Sequence, residues 1–170
     1  MEAIAQCIEN LEPTTQLEIK EILKADSKII LPSRIQFEAA SDQEIANFAY
    51  QTRSSLRVYK LIAKIEFKDL NDLKDKVKNV NLKNIKAPFA AKCERKGNHE
   101  FTSSEAVKEI GKIINKNNLE VNLKNPATTV LIDIIDNVCL IGIDFSGIRL
   151  DKRQYRIKLF PNSINSCLAY

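Results

Sequence analysis

The chain has 170 residues, 44% of them hydrophobic, and a formal net charge of +4. That suffices for one medium domain or two small ones with a real core. With no run of eighteen or more apolar residues, a membrane span is excluded. Met1-Glu2-Ala3-Ile4 carries an acid where a signal peptide would place basic and then apolar residues, so a cytoplasmic location is expected. The four cysteines (Cys7, Cys93, Cys139, Cys167) lie far apart, never form C-x-x-C and are accompanied by a single histidine. They read as small apolar side chains in a reducing compartment, and no metal site is expected.

In chain order, Ala3–Ile8 alternates as a strand, and Pro13 opens a helical pattern with Leu17, Ile19, Ile22 and Leu23 as its apolar face. Lys28–Leu31 and Arg34–Glu38 read as short strands divided at Pro32-Ser33. Ser41-Asp42-Gln43-Glu44 has capping-box spacing ahead of Ile45, Phe48 and Ala49, and Leu56–Phe67 reads as the next strand. The order β-α-β-β-α-β is that of a ferredoxin-like unit over residues 1–66. A second unit follows. Leu70, Leu73, Val77 and Val80 mark an amphipathic helix, Phe89–Arg95 a strand, and Ala106, Val107, Ile110, Ile113 and Ile114 the buried face of a helix capped by Thr102-x-x-Glu105. Thr128–Ile135 and Val138–Phe145 are continuously apolar, as in strands covered on both faces, and Asp136-Asn137 suits a tight hairpin turn. Gly142 suggests a bulge or a close backbone approach. The fold class is α+β.

Charge is distributed unevenly. Residues 1–30 balance to −3, whereas residues 149–158 carry five cations against Asp151. Two basic sets stand out. Lys92, Arg95 and Lys96 lie at a strand end leading to a helix start, an arrangement suited to phosphate. Arg149, Lys152, Arg153 and Arg156 follow the last strand, and Tyr155 between two arginines adds a stacking surface. If the two sets meet, they form one phosphate-binding groove. Lys74, Lys76 and Lys78 read as solvated lysines. The lone His99 has no nucleophile or carboxylate placed with it, so structural and RNA-contact roles rank ahead of catalysis, with a loop-fixing hydrogen bond and a phosphate contact level. Four glycines cannot assemble a G-x-G-x-x-G or P-loop, and Asn125-Pro126-Ala127 reads as a turn. No catalytic residue and no cofactor are expected of this chain.

The pattern Phe89…Cys93-Glu94-Arg95-Lys96-Gly97-x-His99-x-Phe101-Thr102-Ser103 resembles the THUMP domain signature. Val130–Ile134, Ile141–Gly147 and Leu150–Arg156 agree with it in order and spacing, and residues 1–66 resemble the ferredoxin-like domain that precedes THUMP. The whole is similar to the N-terminal half of THUMP-containing tRNA guanine-N2 methyltransferases. The resemblance implies a ferredoxin-like domain (1–66), a THUMP-like domain (67–158) and a tail (159–170) like the lead-in to a methyltransferase domain. It implies tRNA as partner, gripped at the acceptor stem and 3′ end, with Arg95, His99, Lys152, Arg153 and Arg156 facing RNA. Lys92, Lys96, Arg149 and Tyr155 complete the expected set. The catalytic half would lie on a separate methyltransferase subunit or in a missing C-terminus. An adaptor for another tRNA-modifying enzyme, such as a tRNA acetyltransferase, is the alternative.

Overall fold

The computed structural model describes residues 1–82, 85–115, 119–152 and 164–169. It divides into two compact units, Met1–Lys60 with Phe145–Tyr170, and Leu61–Asp144. The described residues beyond Asp144 thus group with the first unit, and the division falls inside a strand.

The first unit contains β1 (Glu2–Cys7), α1 (Glu12–Leu23), β2 (Ser27–Leu31), β3 (Arg34–Glu38), α2 (Asp42–Gln51) and the first half of β4 (Ser55–Glu66). Its strand order is β2-β3-β1-β4. β1 pairs antiparallel with both β3 and β4, so Ala3, Ala5 and Cys7 turn one face toward the helices. Ile19 of α1, Ile45 and Phe48 of α2, and Ile35, Phe37 and Val58 complete that core. Pro13 sits in the first turn of α1, where its missing N–H costs nothing.

The α1 face differs from the periodic reading. Leu17 is 64% exposed, while Thr15, Glu18 and Ile19 turn inward. The reason is a hydrogen-bonded hub. The Glu18 carboxylate accepts from the Thr52 hydroxyl (2.7 Å), the Arg53 N–H (2.7 Å), the Ser54 N–H (3.1 Å) and the Ser54 hydroxyl. One buried acid therefore shapes the whole α2–β4 connection, and a buried charge so satisfied is tolerated where an unpartnered one is not. The second capping box forms by half. Ser41 accepts from the Glu44 N–H, but Glu44 reaches the Ala40 N–H, one residue further back than the motif implies.

Residues 145–150 run beside the first half of β4. Phe145 N–H donates to the Val58 carbonyl (3.0 Å) and Leu150 N–H to the Leu56 carbonyl (2.9 Å). Residues 164–169 are fastened to the same unit. Asn165 donates to the Asp151 carboxylate (2.9 Å), Ser166 to the Asp151 carbonyl (2.9 Å), and the buried Cys167 thiol to the Ser55 carbonyl (3.4 Å).

The second unit holds the rest of β4, then α3 (Leu70–Val77), β5 (Phe89–Lys96), α4 (Ser103–Ile114), β6 (Thr128–Ile135) and β7 (Val138–Asp144). Strand order is β4-β7-β6-β5. β6 and β7 form the expected antiparallel hairpin about Asp136-Asn137, and Asp136 takes φ 49°, as the turn chemistry anticipates. β5 and β6 are parallel and in register from Phe89↔Thr128 to Lys96↔Ile135, a pairing that requires the crossover through α4. Helices α3 and α4 cover one sheet face with Leu73, Val77, Ala106, Ile110 and Ile114, packed on Phe89, Val130, Ile132, Ile134, Cys139 and Ile141. The other parity of β6 is buried too, since Leu131 and Asp133 are both fully inaccessible. That explains the unbroken apolar runs. Gly142 pairs regularly with Leu131, so no bulge forms there. No helix among the described residues is long and apolar enough to cross a membrane.

Candidate nucleic-acid interface at the end of β5

β5 is the last strand in the order of its unit, and it carries Lys92 at its middle and Arg95 and Lys96 at its C-terminal end, all exposed. Strand alternation separates them. Phe89, Ala91 and Cys93 face the α3–α4 core, so Arg95 belongs to that side, beyond the end of the core. Lys92 and Lys96 belong to the opposite side. The three cations therefore stand on both sides of β5 instead of lining one face.

The loop from Gly97 to Thr102 turns the chain into α4, and three contacts tie it and the end of β5 to the β6–β7 turn. The Asp136 N–H donates to the Lys96 carbonyl (2.9 Å). Gly97 adopts φ +112°, and a Cβ there would lie 2.6 Å from Asp136 Oδ1 and 3.1 Å from Asp136 Cα. Only glycine allows both the dihedral and the approach. His99 Nε2 lies 2.6 Å from the Asp136 carbonyl oxygen, and the Arg95 NH1 group lies 2.9 Å from His99 Nδ1. The neighbouring Asn137 carbonyl accepts from the Phe67 N–H (2.9 Å). Aromatic rings fill the space beneath. His99 stacks on Phe67 at 6.1 Å between centroids, Phe101 sits 5.0 Å from the imidazole, and the Arg95 guanidinium carbon lies 6.0 Å above the Phe101 ring.

The start of α4 differs from the phosphate-receiving helix end that the motif suggests. The capping box is complete, with the Glu105 N–H donating to Thr102 Oγ1 (3.2 Å) and the Thr102 N–H donating to the Glu105 carboxylate (2.7 Å). That backbone bond and the Thr102 hydroxyl hold the Glu105 carboxyl below the usual carboxylate range. A carboxylate already occupies the electropositive end, so the basic side chains and not the helix dipole must attract an anion.

Of the expected residues, Lys92, Arg95, Lys96 and His99 come together on this strand and loop. Arg149 belongs to the first unit, where Asp151 holds it in a two-pronged pair, Nε to Oδ1 at 3.0 Å and NH2 to Oδ2 at 2.9 Å. Burial raises the Asp151 pKa, but the Arg149 fork and the Asn165 amide outweigh it and keep the carboxyl below its ordinary range. Lys152 is exposed in the same segment. Arg153, Tyr155 and Arg156 lie outside the described residues. Burial pushes the Cys93 thiol up to about 11, which suits an apolar role on the strand. No group of three or more potential metal ligands occurs among the described residues. Phe67, Asp136 and Asn137 were not anticipated, because nothing in the local pattern links Asp136 to a histidine 37 positions earlier.

Residues 67–144 match the family model described as THUMP domain. Over 166 residues the chain is 28% identical to the tRNA (guanine(6)-N2)-methyltransferase of Methanocaldococcus jannaschii, covering 89% of this chain and 42% of that protein. It is 24% identical over 159 residues to the tRNA sulfurtransferase of Desulfurococcus amylolyticus, covering 90% of this chain and 30% of that one. The crystal structure of a predicted N6-adenine-specific DNA methylase from Listeria monocytogenes shares the fold, with a TM-score of 0.80 over 99% of this chain and 46% of that chain at 18% identity. The chain spans less than half the length of the curated relatives it matches.

Proposed function

We propose, from the premise that this chain carries a THUMP domain, that it is a tRNA-binding module that positions tRNA for a modification enzyme. The observation that carries this reading is the cationic strand β5, where Lys92, Arg95 and Lys96 stand exposed within the THUMP-matched segment. The relatives add a second argument. One is named for methyl transfer and another for sulfur transfer, yet both share this portion. What two different chemistries have in common is the tRNA, so the shared portion serves the substrate.

The mechanism is electrostatic docking and shape recognition. Cations on the strand end contact phosphates, and the held RNA is presented to an active site outside these residues, which raises the effective concentration of the target nucleotide there. The favoured partner is a methyltransferase half on a separate chain or in a C-terminal continuation, with S-adenosylmethionine bound there. The alternative is an adaptor for another tRNA-modifying enzyme. The RNA-binding region extends to residue 158, beyond the matched segment, because Lys152, Arg153 and Arg156 continue the basic set, with Tyr155 as a stacking surface. The compartment is the cytoplasm, where tRNA modification substrates are met.

Filter retention of tRNA across a salt series tests the proposal, with Arg95→Ala and Arg153→Ala variants alongside. Each phosphate contact removed lowers the slope of log affinity against log salt by about 1. Binding that is absent at low salt, or indifferent to salt, refutes it.

A further inference from the structure

We infer that His99 is a positioning residue for RNA binding, acting through Arg95 and not by touching RNA itself. The inference rests on the tRNA-binding reading above and goes beyond it by assigning a task to the only histidine in the chain.

Two independent neighbours specify one tautomer. Arginine has donors and no acceptor, so the Arg95 NH1 group, 2.9 Å from His99 Nδ1, requires a lone pair on Nδ1. The Asp136 carbonyl oxygen can only accept, so at 2.6 Å it requires a proton on Nε2. Both demands are met by the neutral imidazole carrying its hydrogen on Nε2. The histidine is thereby a relay of orientation. A hydrogen bond to the hairpin turn fixes which nitrogen offers its lone pair, and that lone pair fixes the guanidinium.

The turn at the far end of the relay is itself immobilised. Asp136 donates to Lys96, Asn137 accepts from Phe67, and the missing side chain of Gly97 lets β5 and the turn close on each other. Phe67 and Phe101 flank the imidazole, and Phe101 also lies beneath the guanidinium. Arg95 NH1 has a second acceptor in the Gly97 carbonyl at 3.4 Å. The relay therefore uses one nitrogen of the fork, while the Nε and NH2 groups are not the ones spent on His99 or Gly97. An exposed arginine forfeits rotamer freedom when it grips a phosphate, and here that freedom is surrendered before RNA arrives.

The test is a pair of isosteric variants and a double-mutant cycle on tRNA binding. In His99→Gln the amide overlays Nε2, keeping a donor for Asp136 and offering nothing to Arg95. In His99→Asn the amide overlays Nδ1, keeping an acceptor for Arg95. His99→Gln should weaken binding by about two- to twelvefold, the cost of ordering one long side chain on association. It should leave the salt slope unchanged, because Arg95 still reaches its phosphate, whereas Arg95→Ala lowers the slope by about 1. His99→Asn should recover part of the affinity. On an Arg95→Ala background, His99→Gln should do nothing further. An undiminished loss on that background means direct RNA contact and overturns the inference while leaving the tRNA reading intact. A wild-type chain that does not bind tRNA overturns the reading itself, and the inference with it. Should the variants fail to fold, nitrogen chemical shifts of His99 in the wild-type protein at mildly alkaline pH decide, since a proton found on Nδ1 breaks the relay.

Discussion

Replacing Gly97 with alanine loads the joint between β5 and the β6–β7 turn in two separable ways. The φ of +112° is a conformation that residues with a side chain seldom adopt, at a cost of about 1–3 kcal/mol. The new Cβ also meets Asp136 Oδ1 at 2.6 Å, which a carboxylate can relieve by rotating, and Asp136 Cα and N at 3.1 and 3.2 Å, which it cannot. Displacing the turn backbone by a few tenths of an ångström costs about 1 kcal/mol more, at the lower end of overpacking penalties. The total, about 2–4 kcal/mol, is a large part of the roughly 5–15 kcal/mol that holds a domain folded. Gly111 in α4 supplies the control, because a Cβ there would meet nothing within 4 Å. Gly111→Ala should stabilise by about 0.5–1 kcal/mol, through helix propensity alone. Amide exchange at Ala106 and Ile110, both buried in α4, reports the second unit specifically. Gly97→Ala should accelerate that exchange and Gly111→Ala should slow it. If Gly97→Ala leaves exchange unaltered, or both variants shift it alike, the close approach to Asp136 is not what glycine provides.

Thr102→Ala should cost the second unit about 1 kcal/mol at neutral pH, the worth of a helix cap, measured by urea denaturation. The penalty should shrink in acid. The folded-state pKa of Glu105 is lowered, so its half of the box is present above the ordinary carboxylate pKa and lost as pH falls through the folded value. Glu18→Gln should destabilise the first unit by about 2–3 kcal/mol, since the amide keeps one acceptor and turns its donor toward the N–H of either Arg53 or Ser54, and a preserved urea midpoint would contradict the hub. Asp151→Asn should release residues 164–169, seen as faster proteolysis there. The same release should appear in the unaltered chain as pH falls through the lowered Asp151 pKa, while neutral pH keeps the clamp shut.

The strands and helices were legible where the signal is local. Thr128–Ile135 and Val138–Asp144 announce themselves through β-branched runs around a two-residue turn, and Thr102-x-x-Glu105 through capping spacing. The errors came where a distant partner decides. On α1, hydrophobic periodicity chose Leu17 for the core, but Glu18 faces inward because a loop 34 to 36 residues later supplies its hydrogen bonds. The capping box forms as its spacing implies, but the helix start expected to suit phosphate is occupied by that box's own Glu105 carboxylate. Register explains the remaining gap. Sequence put Lys92, Arg95 and Lys96 in one cluster, and only the alternation of β5 against the core shows that they belong to two sides of the strand.

That separation bears on what the strand end can do. A flat array of three cations on one face would suit a flat polyanionic surface, whereas cations on both sides of a strand suit a backbone that passes around it. Several groups with chemistry to offer are engaged in structure. His99 holds a hairpin turn and an arginine, Glu105 caps a helix, and burial raises the thiols of Cys93 and Cys139. What the site displays to solvent is charge, with Arg95 held by His99, and held charge discriminates through geometry. On the proposed tRNA-binding reading, a polyphosphate chain that passes around the strand should meet Lys92, Arg95 and Lys96 in turn, while a short or straight one should reach fewer of them. Competition should follow that order. Folded tRNA should displace a bound reporter at lower concentration than a single-stranded RNA of equal phosphate count, and equal displacement would reduce the site to nonspecific attraction.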